Sequence, residues 1–255
     1  MFENIGRQVV TQFTVLGSIT ELAFRFFRSI FSTYNFWKRV LFQLYALGIK
    51  SLPITIITSS FIGMAFTLQI VREFEKFGAN YMLGGIVGLA VWRELGPLLT
   101  GVAVSARIGA AIASELGTMR VTEQIDALKA LSQDPVKYLV VPRIVSVMIM
   151  MPLLVGVADV VGFMSGFAVG VPLGNLNPNA YFSSAEQMLG PFDIIGGLIK
   201  ALIFGFIIGL ISCFQGLQAK AGAKGVGEST TRAVVYSLIS IFVMNYFLSY
   251  VLFQS

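Results

Sequence analysis

Residues 115–134 read ELGTMRVTEQIDALKALSQD, a polar island between two long apolar segments in a chain otherwise short of charge. Because a charged stretch of this length is not stable in hydrocarbon, the apolar segments on either side are read as membrane spans and the island as their connection outside the lipid. Val121, Ile125, Leu128 and Leu131 recur at helical spacing, with Glu123, Gln124, Asp126 and Lys129 on the other faces. That pattern predicts a short amphipathic helix, and its natural partner is another protein.

Working outward, the composition supports the same reading. Of 255 residues 56% are hydrophobic and 12% charged, against roughly a quarter charged in a soluble domain. A spanning helix needs about 20 mostly apolar residues, so the length allows about five or six spans in one all-α membrane domain. The net charge of +5 is assigned to one membrane face and not to nucleic-acid binding. With one cysteine, Cys213, and no histidine, an internal disulfide, a Cys/His dyad and a histidine metal site are all absent. Neither a catalytic residue nor a metal site is expected. Residues 1–32 mix Glu3, Arg7, Glu21, Arg25 and Arg28 with Phe and Val, without the apolar run and cleavage site of a signal peptide.

Residues 1–50 form an amphipathic N-terminal region. Ile5, Val9, Phe13, Leu16, Phe24, Phe27 and Phe31 fall among polar positions, as in a helix lying in the headgroup layer, and Phe36, Trp37, Lys38 and Arg39 supply interfacial anchors. Residues 51–255 then hold five predicted spans, near 51–70, 81–113, 136–171, 193–214 and 231–253. The second is longer than the bilayer requires and is expected to be tilted, broken or partly outside the lipid. Asp134 and Pro135 read as cap and first turn of the third, where Pro142 and Pro152 predict kinks. Residues 172–192 and the basic GLQAKAGAKGVGEST (216–230) are expected to be loops.

Lysine and arginine set the orientation. The N-terminal region, the island with its flank and the last loop carry 13 of the 18, whereas the opposite side has Arg72 and Lys76. The N-terminus and both polar loops are therefore expected in the cytoplasm. Small residues repeat at Gly162, Gly166 and Gly170, at Gly205 and Gly209, and at Gly101, Ser105 and Gly109. They allow close helix packing in lipid, either within one chain or in a dimer.

GAKGVGES (222–229) has the glycine spacing of a phosphate-binding loop, but Glu228 stands where that loop needs lysine. If nucleotide energy drives this protein, another subunit is therefore expected to bind it. Arg93 and Glu94 lie inside an apolar span, where ionisable groups are costly and face a cavity or a partner. Sequence neighbours sit about 100° apart on a helix, so each needs another polar group, with Gln69, Lys200 and Asn245 as candidates. The pair is either a packing clamp or, the favoured reading, the wall of a substrate cavity. Asp159 is read as structural.

Four blocks in this order, RELGP (93–97), ARIGAAIASELGTMRVTEQIDAL (106–128), DPVKYLVVPR (134–143) and GVGESTTRAVV (225–235), resemble the MlaE family of permeases, which includes the chloroplast lipid-import permease. The likeness runs from about residue 36. It implies the permease subunit of an ABC-type lipid transporter: two copies form a homodimeric membrane core, a cytoplasmic ATPase dimer binds ATP and Mg, and a ring of MCE-domain proteins sits outside. By the same resemblance the island is the coupling helix, about 117–131, that docks on the ATPase. Glu115, Gly117, Met119, Glu123, Gln124, Asp126 and Leu128 are its candidate coupling residues. The implied phospholipid site near the dimer axis matches Gln69, Phe77, Arg93, Glu94, Lys200, Arg232 and Asn245, with Phe66 and Phe77 against acyl chains. One position departs: Asn245 stands where the family commonly carries aspartate.

The expected function is ATP-driven movement of phospholipids or glycerolipids between the inner membrane and an outer membrane or envelope, in a bacterial inner membrane or, alternatively, a plastid inner envelope. The competing function is a stand-alone secondary transporter or channel using Glu94 and Asp159. It leaves the polar island unexplained, and no inverted repeat is apparent.

Overall fold

The computed structural model describes residues 2–29 and 36–253, with side chains omitted for residues 2–13, 15 and 16. The expected apolar face at Ile5, Val9, Phe13 and Leu16, together with Phe31, therefore lies outside the described residues. All the described secondary structure is helical. It comprises α1 (Phe2–Ser29), α2 (Phe36–Lys76), α3 (Asn80–Val121), α4 (Gln124–Ala130), α5 (Val136–Leu173), α6 (Pro178–Met188), α7 (Pro191–Leu217) and α8 (Gly222–Phe253). Of these, α2, α3, α5, α7 and α8 are long and apolar enough to cross a membrane, so the five predicted spans are present, each with helix beyond at least one of its predicted ends.

The second span is broken, as its length predicts: π turns interrupt it at Val91–Leu95 and Ser105–Gly109. At the start of α5, the Asp134 carboxylate accepts from the Val136 N–H at 2.9 Å, which satisfies a donor that a helix start leaves orphaned. Two expected loops are largely helical. Within 172–192, the Asn177 side chain accepts from Asn179 N at 3.0 Å and Pro178 fills the first turn, a cap strong enough to start α6. Within 216–230, α8 begins at Gly222. Gly225 is required there because a Cβ would strike the Lys220 carbonyl.

The core lies where α3, α5 and α7 meet, around Ile108, Ile112, Leu116, Ile144, Met151, Phe204 and Ile208. A smaller cluster of Val71, Leu83, Val87, Val91 and Tyr181 joins α2, α3 and α6. The small-residue repeats are used inside the chain. A Cβ on Gly63 of α2 would enter the Gly162 carbonyl of α5, one on Gly205 would come within 2.8 Å of the Val147 carbonyl, and one on Gly109 within 2.9 Å of Ser212 Oγ. Hydrophobicity gives no drive between helices in lipid, so such approach supplies the dispersion contact that holds them. Along α1, Leu22 and Phe26 are buried while Phe24 and Phe27 are exposed. Phe26 meets Phe206 of α7 at 5.6 Å between ring centroids.

Candidate functional site: a polar cluster in the spans and an exposed helix beside them

The π turn at Val91–Leu95 aims Arg93 and Glu94 at different neighbours. Arg93 Nε donates to Asp193 Oδ1 at 2.7 Å. Asp193, third residue of α7 and buried, also accepts from the Gly190 N–H at 2.8 Å through its other oxygen, so it caps its helix and fixes the guanidinium together. The terminal nitrogens of Arg93 carry no hydrogen bond to the described residues. Its Cζ lies 4.9 Å from the centroid of the Phe253 ring, a distance at which the ring face attracts a cation.

Glu94 is surrounded by donors. Lys200 Nζ reaches its Oε1 at 2.8 Å, Ser249 Oγ donates to the same oxygen at 2.7 Å, and the Asn245 amide donates to Oε2 at 2.9 Å. Lys200 is fully buried, and its ammonium also meets the Arg93 carbonyl at 2.8 Å and Ser249 Oγ at 2.7 Å. Three protons and three partners leave nothing over. Asn245 suits this place because its amide is a donor, whereas an ionised aspartate would face Glu94 with acceptors only. The side chains of Arg93, Glu94, Asp193 and Lys200 sum to zero charge.

Of the expected lipid-site residues, Arg93, Glu94, Lys200 and Asn245 are thus brought together. Gln69 is exposed on α2, Phe77 is exposed just past its end, and Phe66 packs on the Val71 and Tyr181 cluster. Arg232 sits near the other end of α8, 17 residues before Ser249 and roughly 25 Å along the helix, where it pairs with Glu228 at 3.6 Å. Asp193, Ser249 and Phe253 complete the cluster and are not among the sequence candidates. Asp159 is buried with no hydrogen-bond partner for either carboxyl oxygen among the described residues. It lies where a Cβ on Gly96 would collide with its Oδ1.

At the opposite end of α3, the island splits. Residues 117–121 continue α3, Thr122 and Glu123 turn, and α4 follows. Glu123 holds a left-handed backbone at φ 59°, uncommon for a side chain with a Cβ; its carbonyl accepts from the N–H groups of Asp126 and Ala127. Glu123, Gln124, Asp126 and Lys129 are exposed, whereas Gly117 is buried and Met119 and Leu128 are half-buried. Asp126 accepts from Lys129 at 3.0 Å and from Arg120 at 2.9 Å. The hydrogen bond from Lys129, with the nearby Arg120 charge, holds its carboxyl below the usual range. Leu131, expected on the apolar face, is 72% exposed. Glu115 meets Arg143 of α5, with Arg143 Nη2 to Glu115 Oε2 at 3.2 Å.

Comparison with known proteins gives this arrangement its context. Residues 40–251 match the model of the family described as Permease MlaE. A probable ABC transporter permease protein of Synechocystis is 46% identical over 217 residues, covering 85% of this chain and 82% of its own length. One of Rickettsia conorii is 43% identical over 251 residues, covering 98% and 97%. The chloroplastic protein TRIGALACTOSYLDIACYLGLYCEROL 1 of Arabidopsis thaliana is 44% identical over 218 residues, covering 86% of this chain and 62% of its own length. With a family match over most of the chain and nearly full-length relatives, this protein belongs to the MlaE permease family and is an ABC transporter permease.

Proposed function

We propose that this permease moves phospholipids or related glycerolipids between the membrane it spans and an outer membrane or envelope, driven by ATP hydrolysis on a separate ATPase dimer. In this reading two copies form the membrane core, an MCE-domain ring receives or supplies the lipid, and the N-terminus and α4 face the cytoplasm of a bacterial cell, or the stroma if the membrane is a plastid inner envelope. ATP and Mg belong to the ATPase, where the hard chemistry is done. The observation that carries the lipid assignment is Arg93: a guanidinium inside an apolar bundle, held through Nε by Asp193 and over a ring by Phe253, with its terminal nitrogens uncommitted. That planar edge matches a phosphate diester. Lys200 and Glu94 hold the helix from which it projects. The Arabidopsis relative, whose name refers to a glycolipid, supports a lipid cargo.

Affinity purification in mild detergent, with mass spectrometry of proteins and lipids, tests this. Recovery of an ABC ATPase, an MCE-domain protein and bound phospholipid is expected, with phospholipid occupancy falling severalfold in Arg93→Gln while the ATPase remains. Recovery of the protein alone, under conditions that keep complexes together, would favour a stand-alone secondary transporter instead.

A further inference from the structure

The pair Glu115–Arg143 spans the island. Glu115 lies in the last turns of α3 and Arg143 in the first turns of α5, with α4 and its two turns between them in sequence. Arg143 is buried at 7% exposure. Its Nη1 donates to the Leu139 carbonyl at 3.0 Å, Nη2 to Glu115 at 3.2 Å, and Nε has no partner among the described residues.

Both helices also press on the same wall. On α7, Gly216 packs so that a Cβ would lie 2.8 Å from Leu116 and 2.9 Å from the Ala113 carbonyl, and Gly209 so that one would lie 3.0 Å from Ile144 Cα. Cys213, between these glycines, is fully buried. Each of the two helices thus packs along α7, and Glu115 with Arg143 links them directly.

A push on α4 reaches the bundle through Ile125, buried in the core with Leu128 packed against it, and through two short connections, at Thr122–Glu123 and at residues 131–135. If α3 and α5 could slide separately, a displacement of α4 would be shared between local bending and movement of one helix. We infer that Glu115 and Arg143 are positioning residues: their ion pair makes the ends of α3 and α5 move as one body, so that force on α4 enters both spans together. The arginine end of this charge-assisted link is buried while the Glu115 side chain is 53% exposed, so breaking it leaves a buried guanidinium without its counter-charge, which costs more than breaking a pair exposed at both ends. The inference rests on the ABC permease assignment and not on lipid being the cargo.

Spin-label distances in the permease assembled with its ATPase test it. In a Cys213→Ser background, labels at Thr118 and Lys137 of one protomer, assembled with an unlabelled copy, report the separation of the two helix ends with and without ATP. A single narrow distance that keeps its width on ATP addition is expected for wild type and for Glu115→Asp. Glu115→Gln and Glu115→Ala should give a broadened distribution that changes with ATP, while the number of ATP molecules hydrolysed per transport event rises by about fivefold or more. The Glu115→Gln variant keeps the side-chain shape, so it remains informative if Glu115→Ala does not fold. Unchanged distances and an unchanged ATP cost in folded Glu115→Gln would overturn the assignment. Loss of transport in every form, wild type included, with the distance effect intact would instead count against the cargo proposed above.

Discussion

Lys200 donates to the backbone carbonyl of Arg93 at 2.8 Å, the acceptor that in α-helical register would be served by the N–H four residues on. That residue is Pro97, which has none. The lysine therefore repairs the helix break and neutralises Glu94 with the same ammonium. Removing it strands the carbonyl and leaves Glu94 with the hydrogen bonds of Ser249 and Asn245 but no counter-charge. Lys200→Met is expected to lower stability by about 3 kcal/mol, at the low end for a buried pair because the Glu94 side chain is 39% exposed. Glu94→Gln in the same chain should recover much of that loss. Thermal unfolding of the single and double variants in one detergent gives the coupling directly, and additive losses would contradict it.

Asn245 is the donor that completes the shell of Glu94. Asn245→Asp places a second carboxylate where the amide now donates at 2.9 Å, exchanging a hydrogen bond for like-charge repulsion. A loss of about 1–3 kcal/mol is expected, largely removed by adding Glu94→Gln. A variant as stable as the parent at neutral pH would mean that another cation can swing into the cluster.

At α4 the local charges act on each other as well as on any partner. The carboxyl of Asp126 is held below its ordinary value of 3.8, so the support it lends the helix is full above that value and is lost as pH falls through the lowered one. Docking on the ATPase should therefore show no Asp126-dependent change between pH 5 and pH 8, and Asp126→Asn should weaken α4 at neutral pH as measured by amide exchange at Ala127 and Lys129. Charge reversal at Asp126 disturbs both Arg120 and Lys129, which makes Glu123→Arg the cleaner probe of docking. It should abolish co-purification of the ATPase with the bundle still folded.

The backbone of Glu123 is separable from its charge. Glu123→Gly relaxes the left-handed conformation and is expected to stabilise the turn by up to about 1 kcal/mol, while weakening ATPase docking. Scanning calorimetry and pull-down should therefore move in opposite directions.

Close helix approach makes neighbouring glycines unequal. Gly63→Ala would drive a methyl into the Gly162 carbonyl, whereas a Cβ on Gly162 meets its nearest neighbours at 3.4 Å, ordinary contact. Thermal unfolding should show Gly63→Ala destabilised by about 1–3 kcal/mol and Gly162→Ala near neutral. Equal effects would argue that α2 and α5 separate readily.

The apolar runs and the island made the five spans and α4 legible, because long periodic segments carry a strong signal. The long polar reach of Lys200 and Asn245 toward Glu94 was also legible, since intramembrane charge demands partners. Asp193 was not, because beside Gly190 and Pro191 it reads as an ordinary helix-start residue. Its second oxygen does that job, and only the fold shows the first oxygen turned to Arg93. Ser249 looks like any small residue in a span until Glu94 is placed opposite. Helix α6 was hidden by its asparagines, although Asn177 followed by Pro178 is a cap signal. The glycines of 222–227 suggested a loop because nothing local shows that Gly225 packs on the Lys220 backbone.

The shell around Glu94 is assembled from distant parts of the chain, with Lys200 106 residues and Asn245 151 residues downstream. At the pace of ribosomal synthesis, about 5–20 residues per second, Asn245 is made roughly 8–30 s after Glu94. Until Lys200 is made, roughly 5–21 s after Glu94, the second span exists with its carboxylate unmatched, and its shell stays incomplete until Asn245 follows. Biogenesis of this permease therefore requires the insertion machinery to shelter that span, or to leave it beside water, until the last helix arrives. A ribosome stalled before residue 200 should leave α3 exchangeable between the insertion site and the aqueous phase, and one released after residue 249 should lock it in the bilayer.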